Sequence, residues 1–348
     1  MRRQVLASGI THTDTMLKNL FIMLFSVASV SVSHAEMNLN GAGASFPAPV
    51  YQAWTFDYSA KNPEVKINYQ SLGSGAGINQ IKAGTVDFAG TDNPLSLQEQ
   101  NEAALIQFPM LTGGVVVIVN IPGIASGALK LDQQTLADIY LGKITRWNDD
   151  AVKALNPDLN LPDLKITVVR RSDSSGTTFI FTDYLSKISS EWKEKVGAGP
   201  SVKWPVGLGG QKNPGVCNNV AKIKGSIGYT EYTYAVESNL NCAILKNREG
   251  VFVSPSVETF SASASNADWQ NAPGLCMALT DTPGEKSWPI TGVTYILIRK
   301  DLAADKKAAL TRYFNWCFTE GAPKATQLNY VPLPENVVGL INAGPLKK

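Results

Sequence analysis

Three times in this chain a strand-like run delivers serine and a small residue to the threshold of a helix: Ala44-Ser45-Phe46 ahead of Pro47, Gly73-Ser74-Gly75 ahead of Ile78, and Ser175-Gly176-Thr177 ahead of Phe179. A strand feeding a helix through a short polar loop, repeated, restricts the chain to an α/β fold with parallel strands. The flanking periods agree. Val65, Ile67 and Tyr69 alternate ahead of the second loop and KITVVRR leads into the third, while Phe46, Val50, Trp54 and Tyr58 recur at fourfold spacing as the buried stripe of a helix opened by Pro47. VDFAGTDNPLS reads as a strand ending in the acid Asp92, and GGVVVIVNIPG, from Gly113, as a fully buried strand. GSIGYTEYTYAVESN is a strand leading into a helix, and TYILIRKD is a last strand followed by a helix to Phe318. No internal repeat or long low-complexity linker divides the chain, so two lobes would be joined by more than one crossing of ordinary strand-like segments.

The first 35 residues stand apart. Lys18, an apolar run from Leu20 to Val32 and Ser33-His34-Ala35 have the order of a cleavable secretory signal, with a cut expected after Ala35 and residues 1–15 as an upstream extension. The run is too short for a stop-transfer span. Arg2, Arg3, Lys18 and Asp14 fall in this leader, so of 31 basic and 29 acidic residues 28 of each remain and the mature chain is formally neutral. Neutrality argues against nucleic acid or a membrane surface as partner. Both histidines, His12 and His34, leave as well, which excludes a Ser-His-Asp triad, a histidine base and histidine metal ligands. Cys217, Cys242, Cys276 and Cys317 remain. Export permits disulfides, and Cys217 with Cys242, both in polar, turn-rich surroundings, is the favoured pair. Cys317 shares a stripe with Leu310, Tyr313 and Phe314 and reads as a buried thiol. No cysteine in the leader offers a lipid attachment site, so the product is expected to be soluble rather than anchored.

A helix start exposes unpaired N–H groups at the positive end of the helix dipole and holds an anion without net charge. Serine and threonine hydroxyls add donors, and glycine lets the backbone approach. Taken singly, each of the three loops is equally an N-cap. Arg171, at a strand end beside the third loop, adds a guanidinium fork suited to an oxyanion, with Asp173 placed to brace it or to cap the helix. Arg170 points to the other face of its strand. Asp92 is a carboxylate where another donor is expected. It either caps the turn before Pro94 or faces an anion that itself carries a proton, as phosphate and arsenate do and sulfate does not. No metal-ligand cluster, P-loop, dinucleotide pattern or nucleophile elbow is present.

GAGASFPAPVYQAW, GSGAG followed by VDFAGTDNPL, IYLGKITRWND, VVRRSDSSGTTF, VKWPVGLGG and GSIGYTEYTYA together resemble the PstS family, the periplasmic phosphate-binding proteins of high-affinity phosphate ABC transporters. The likeness runs in order from Asn38 to Leu333. It implies a two-lobed periplasmic binding protein fold of type II that closes on one phosphate, with residues 36–111 plus 289–348 as one lobe and 112–288 as the other. Phosphate contacts would come from Ser45, Phe46, Ser74 and Asp92 on one side and from Arg171, Ser175, Gly176 and Thr177 on the other, with Asp173 pairing to Arg171. It also implies no cofactor, a monomer, and an inner-membrane ABC permease as partner. Ser45 and GSGAG stand where the best-known members have threonine and GSSGG. The competing readings are an exported phosphatase or esterase using Ser74 or Ser175, a binding protein for another tetrahedral oxyanion, and an extracellular protein that keeps this fold without transport.

Overall fold

In the computed structural model, which describes residues 36–347, the first three strands form where the alternation predicts them. β1 (Met37–Gly43), β2 (Val65–Ser71) and β3 (Phe88–Thr91) run parallel, with β1 between the other two. Helices α1 (Ala48–Lys61) and α2 (Ser74–Lys82) make the crossovers. Val65, Ile67 and Tyr69 face inward and Lys66, Asn68 and Gln70 outward, and Phe46, Val50, Trp54 and Tyr58 are buried as one stripe. The leader, its cut after Ala35 and Lys348 lie outside the described residues.

After α3 (Leu97–Glu102) the chain enters β4 (Leu105–Asn120). Then come β5 (Lys130–Leu131), α4 (Gln133–Tyr140), α5 (Asp150–Leu155), β6 (Thr167–Arg171), α6 (Gly176–Ile188), α7 (Ser190–Lys195), β7 (Leu208–Gly210), α8 (Lys212–Lys222), β8 (Ser226–Glu231) and α9 (Tyr232–Glu237). Short strands β9 (Asn241–Cys242), β10 (Ile244–Lys246) and β11 (Phe252–Val253) precede α10 (Val257–Ser265), and β12 (Thr291–Arg299), α11 (Ala304–Phe318), α12 (Ala322–Gln327), β13 (Val331–Pro332) and α13 (Glu335–Ala343) complete the order.

The strand order β2-β1-β3-β12-β4-β8-β6-β7 resolves into two lobes around β4. Its Leu105–Gly114 stretch pairs with β12, and its Val115–Asn120 stretch pairs with β8. The chain returns beside it: Val115 N–H donates to the Ile290 carbonyl (2.8 Å) and Trp288 Nε1–H to the Val115 carbonyl (2.9 Å). Two expectations need correction. The sheet is mixed, because β4 and β12 run antiparallel to their neighbours while β1, β2, β3 and β6, β7, β8 form parallel sets. The central strand also begins at Leu105, well before Gly113. Pro109 disguises its first half, since proline gives no ladder donor, and the register shifts opposite it, between Thr294 and Tyr295.

The expected Cys217–Cys242 bridge is not formed; all four cysteines are free thiols. Cys217 and Cys242 lie in the core of one lobe rather than at an exposed turn. The Cys217 Sγ–H donates to Thr230 Oγ1 (3.5 Å), and burial pushes the two thiols up to about 11 and about 12. Cys317 is buried with Leu310, Tyr313 and Phe314, as the stripe predicts. Among the described residues no helix is long and apolar enough to cross a membrane.

Candidate functional site

Every site residue expected from the sequence lies at the carboxyl end of a parallel strand, where open α/β sheets bind ligands. Ser45 and Phe46 follow β1, Ser74 follows β2 and Asp92 follows β3; Arg171 ends β6, and Ser175, Gly176 and Thr177 open α6. The two lobes bring the two groups face to face. Gly176 N–H donates to Ser74 Oγ (3.1 Å), Gly75 N–H to the Ser174 carbonyl (3.2 Å), and Tyr234 Oη–H to the Ser45 carbonyl (2.6 Å). A Cβ on Gly176 would stand 2.5 Å from Asp92 Oδ2 and from Ser74 Oγ, so only glycine permits this approach. Gly73 has φ of +97°, and its own Cβ would stand 2.7 Å from Asp173 Oδ2. The lobes are therefore closed. A depression of about 370 Å³ lined by Gly75, Asn79, Asn93, Asp173, Ser174 and Pro200 marks the rim of their contact, and larger cavities lie elsewhere among the described residues, beside Lys187, beside Lys307 and beside Gln100.

Within the contact the hydroxyls share one role. Ser45 Oγ accepts from Asn213 N–H (3.4 Å), Ser74 Oγ from Gly176 N–H and from Asp92 N–H (3.2 Å), Ser175 Oγ from Thr178 N–H (3.1 Å), and Thr177 Oγ1 from Asn213 Nδ2–H (3.4 Å). Each oxygen accepts from at least one protein N–H group, which leaves its O–H proton to be given to another acceptor. All four residues are at most 1% exposed. Ser175, and not Asp173, caps α6.

Arg171 is 2% exposed and fixed on three sides. Its Nε–H and Nη2–H donate to Asp173 Oδ1 (2.8 Å) and Oδ2 (2.5 Å), and its Nη1–H to Asn213 Oδ1 (3.2 Å). Burial acts to raise the Asp173 carboxyl, but the Arg171 hydrogen bonds and charge, with the Lys212 N–H, hold it below the usual carboxylate range. Arg170 is half-buried and donates to the Arg171 carbonyl (3.2 Å), away from the other site groups. Asp92 is 2% exposed, and burial pushes its carboxyl up to about 7 against the Thr294 hydroxyl, the Arg171 guanidinium and the Ser74 hydroxyl. The site is a cluster of oriented donors around a buried arginine, with one carboxylate poised between acceptor and acid.

Two contributors were not foreseen. Asn213, on α8, joins Ser45, Thr177 and Arg171, yet in GQKNPG it looks like any turn asparagine; its only local signal is the proline after it, at a helix start. Tyr330 donates to the Phe46 carbonyl (2.7 Å) and meets Glu231 Oε2 at 3.0 Å, which ties the first loop to the end of β8. Burial pushes Glu231 up to about 8. A Tyr residue before a short strand near the end of the chain gives no hint of that reach.

Residues 28–320 match the family described as the PBP superfamily domain. The chain is 52% identical over 310 residues to a protein of Xylella fastidiosa named phosphate-binding protein PstS, covering 88% of this chain and 85% of the relative. It is 47% identical over 329 residues to the phosphate-binding protein PstS of Pasteurella multocida, covering 94% and 95%. Its fold superposes on a high-affinity periplasmic phosphate-binding protein, PfluDING, solved with phosphate, with a TM-score of 0.70 over 88% of this chain and 93% of the other at 21% identity. These relatives are named as binding proteins, not as enzymes. Blocks shared along most of both chains, closed lobes and donors gathered at the strand ends together assign the fold and the lineage: the chain belongs to the PstS family of phosphate-binding proteins.

Proposed function

We propose that this chain captures inorganic phosphate between its lobes outside the inner membrane and delivers it to an ABC-type phosphate permease. The observation that carries the reading is the set of four buried hydroxyls, on Ser45, Ser74, Ser175 and Thr177, whose oxygens accept from protein N–H groups while their protons remain to be given to an anion. The turn at Phe46 ahead of α1 and the start of α6 at Thr177 add N–H donors, and Arg171, held flat by Asp173 and Asn213, adds the charge. Asp92 supplies selectivity. An ionised carboxylate accepts the proton that phosphate carries near neutrality and repels sulfate, which has none to give.

The lobes of this reading are residues 36–111 plus 289–348 and residues 112–288. They open about β4 and the returning segment at Ile290–Thr291 to admit the anion, a hinge of two strand-like crossings. The mature protein, cut after Ala35, acts in the periplasm as a monomer without cofactor. Binding ends in release, not in reaction: the mature chain has no histidine to act as base, and the relatives it matches are named as binding proteins. Equilibrium dialysis of the mature chain, stripped by mild unfolding and refolded, tests this. One phosphate retained per chain, with no phosphate released from an added phosphomonoester, is the expected result; sustained release would establish the phosphatase alternative instead.

A further inference from the structure

Three buried polar atoms around Asp92 have no hydrogen-bond partner of full geometry: Asp92 Oδ1, Thr294 Oγ1 and Tyr51 Oη. Buried groups of this kind are almost always paired, and three together ask for a common explanation. β12 runs antiparallel to β3 with Tyr295 opposite Thr91, which sets Thr294 across from Asp92, the next residue on. Asp92 Oδ2 faces Gly176 of the other lobe. The Thr294 hydroxyl lies near enough to act on the Asp92 carboxyl, which it holds down against burial, and on the Tyr51 hydroxyl.

With Asp92 ionised, the proton count has a solution that satisfies all three. Burial keeps the Tyr51 phenol protonated, so it always has a proton to give. If Tyr51 donates to Thr294 Oγ1 and Thr294 to Asp92 Oδ1, all three atoms are paired. The other groups facing Asp92 do not compete for this place. Arg171 acts on it from the end of β6, and the Tyr69 hydroxyl, from β2, is already committed to the Ala44 carbonyl (2.9 Å). The Ser74 hydroxyl lies at the Gly176 side.

We propose that Thr294 and Tyr51 are specificity-determining positioning residues, a hydroxyl relay beneath the site that holds Asp92 as an acceptor and leaves its Oδ2 turned toward the bound anion. This deepens the phosphate reading and rests on it. With the relay in place Asp92 rejects an unprotonated tetrahedral anion; without it Asp92 takes up a proton more readily and becomes a donor that such an anion accepts.

The test is competition between phosphate and sulfate on the mature chain at a series of pH values on either side of neutrality. Sulfate competition in the wild type is expected to rise as pH falls through about 7. Thr294→Val should move that rise upward by about one pH unit, which is about tenfold more sulfate competition at a fixed pH above neutrality, and Thr294→Ser should restore it. Tyr51→Phe keeps the ring packing and carries the same expectation with a smaller shift, so the test stands if the valine variant does not fold. Equal weakening of both anions at every pH, with the rise unmoved in both variants, would overturn the relay while leaving phosphate capture intact. A wild type that retains no phosphate would overturn the functional reading and the relay together.

Discussion

Arg170 and Arg171 are neighbours with opposite fates. The alternation of a strand puts one on each face, and Arg171 is buried in a fork of Asp173 and Asn213 while Arg170 stays half-exposed. Arg171→Leu is expected to cost phosphate affinity about 2–5 kcal/mol, the range for removing one member of a buried hydrogen-bonded charge pair. Arg170→Leu should stay within about 0.5 kcal/mol, as for most surface changes. Tryptophan fluorescence titration of the two variants checks this, and equal losses would mean that the other arginine holds the anion. Residues of this kind were legible because strand alternation, serine-glycine loops and a resemblance carried by long blocks all met on them. Asn213 and Thr294 were not legible. Their roles depend on what stands across a lobe or a strand, at distances in sequence over which no local pattern reports.

Elements were readable to the extent that their own periodicity was clean. The alternation at Val65–Tyr69 and the stripe of α1 were clear in the sequence, as was the stop of α2 at Gly84, whose φ is +70°. The first half of β4 was hidden by Pro109, and the antiparallel run of β12 by the fact that a buried strand shows no direction in its residues. The disulfide expectation failed for a related reason: turn-rich flanks say nothing of whether two thiols face each other across a lobe. At this scale one contact with no room for a side chain is the start of α6 against the loops of the opposite lobe. Gly176→Ala puts a methyl group 2.5 Å from both Asp92 and Ser74. It should hold the lobes apart and reduce phosphate affinity by at least about tenfold, a cost of about 1–3 kcal/mol for overpacking, with little change in the stability of the unliganded protein. Small-angle scattering with phosphate present should then report an open form; a compact form with unchanged affinity would show that the helix start does not meet those loops in the bound state.

Residues 36–348 are formally neutral, so on this account affinity for an anion rests on local dipoles and one buried arginine rather than on overall charge. Its pH response follows from buried acids. Glu231 is raised from 4.5 to about 8 by burial, so its contribution to stability is fully present below about 4.5 and is lost as pH rises through about 8. Glu231→Gln keeps the shape and can donate to Tyr330 while Tyr330 donates to Phe46. It should make the unliganded protein more stable than wild type above that range, by on the order of 1–3 kcal/mol in urea unfolding, with the difference vanishing in acid. A difference that stays constant across pH would remove Glu231 from this role. The central claim, that a carboxylate among donors selects a protonated anion, is tested most directly by calorimetric titration of the mature wild type and of Asp92→Asn with phosphate and with sulfate above neutral pH. The account predicts one phosphate per wild-type chain with sulfate rejected, and discrimination in the variant reduced by at least about tenfold, the weight of one charge-assisted hydrogen bond. Selectivity unchanged by the substitution would contradict it.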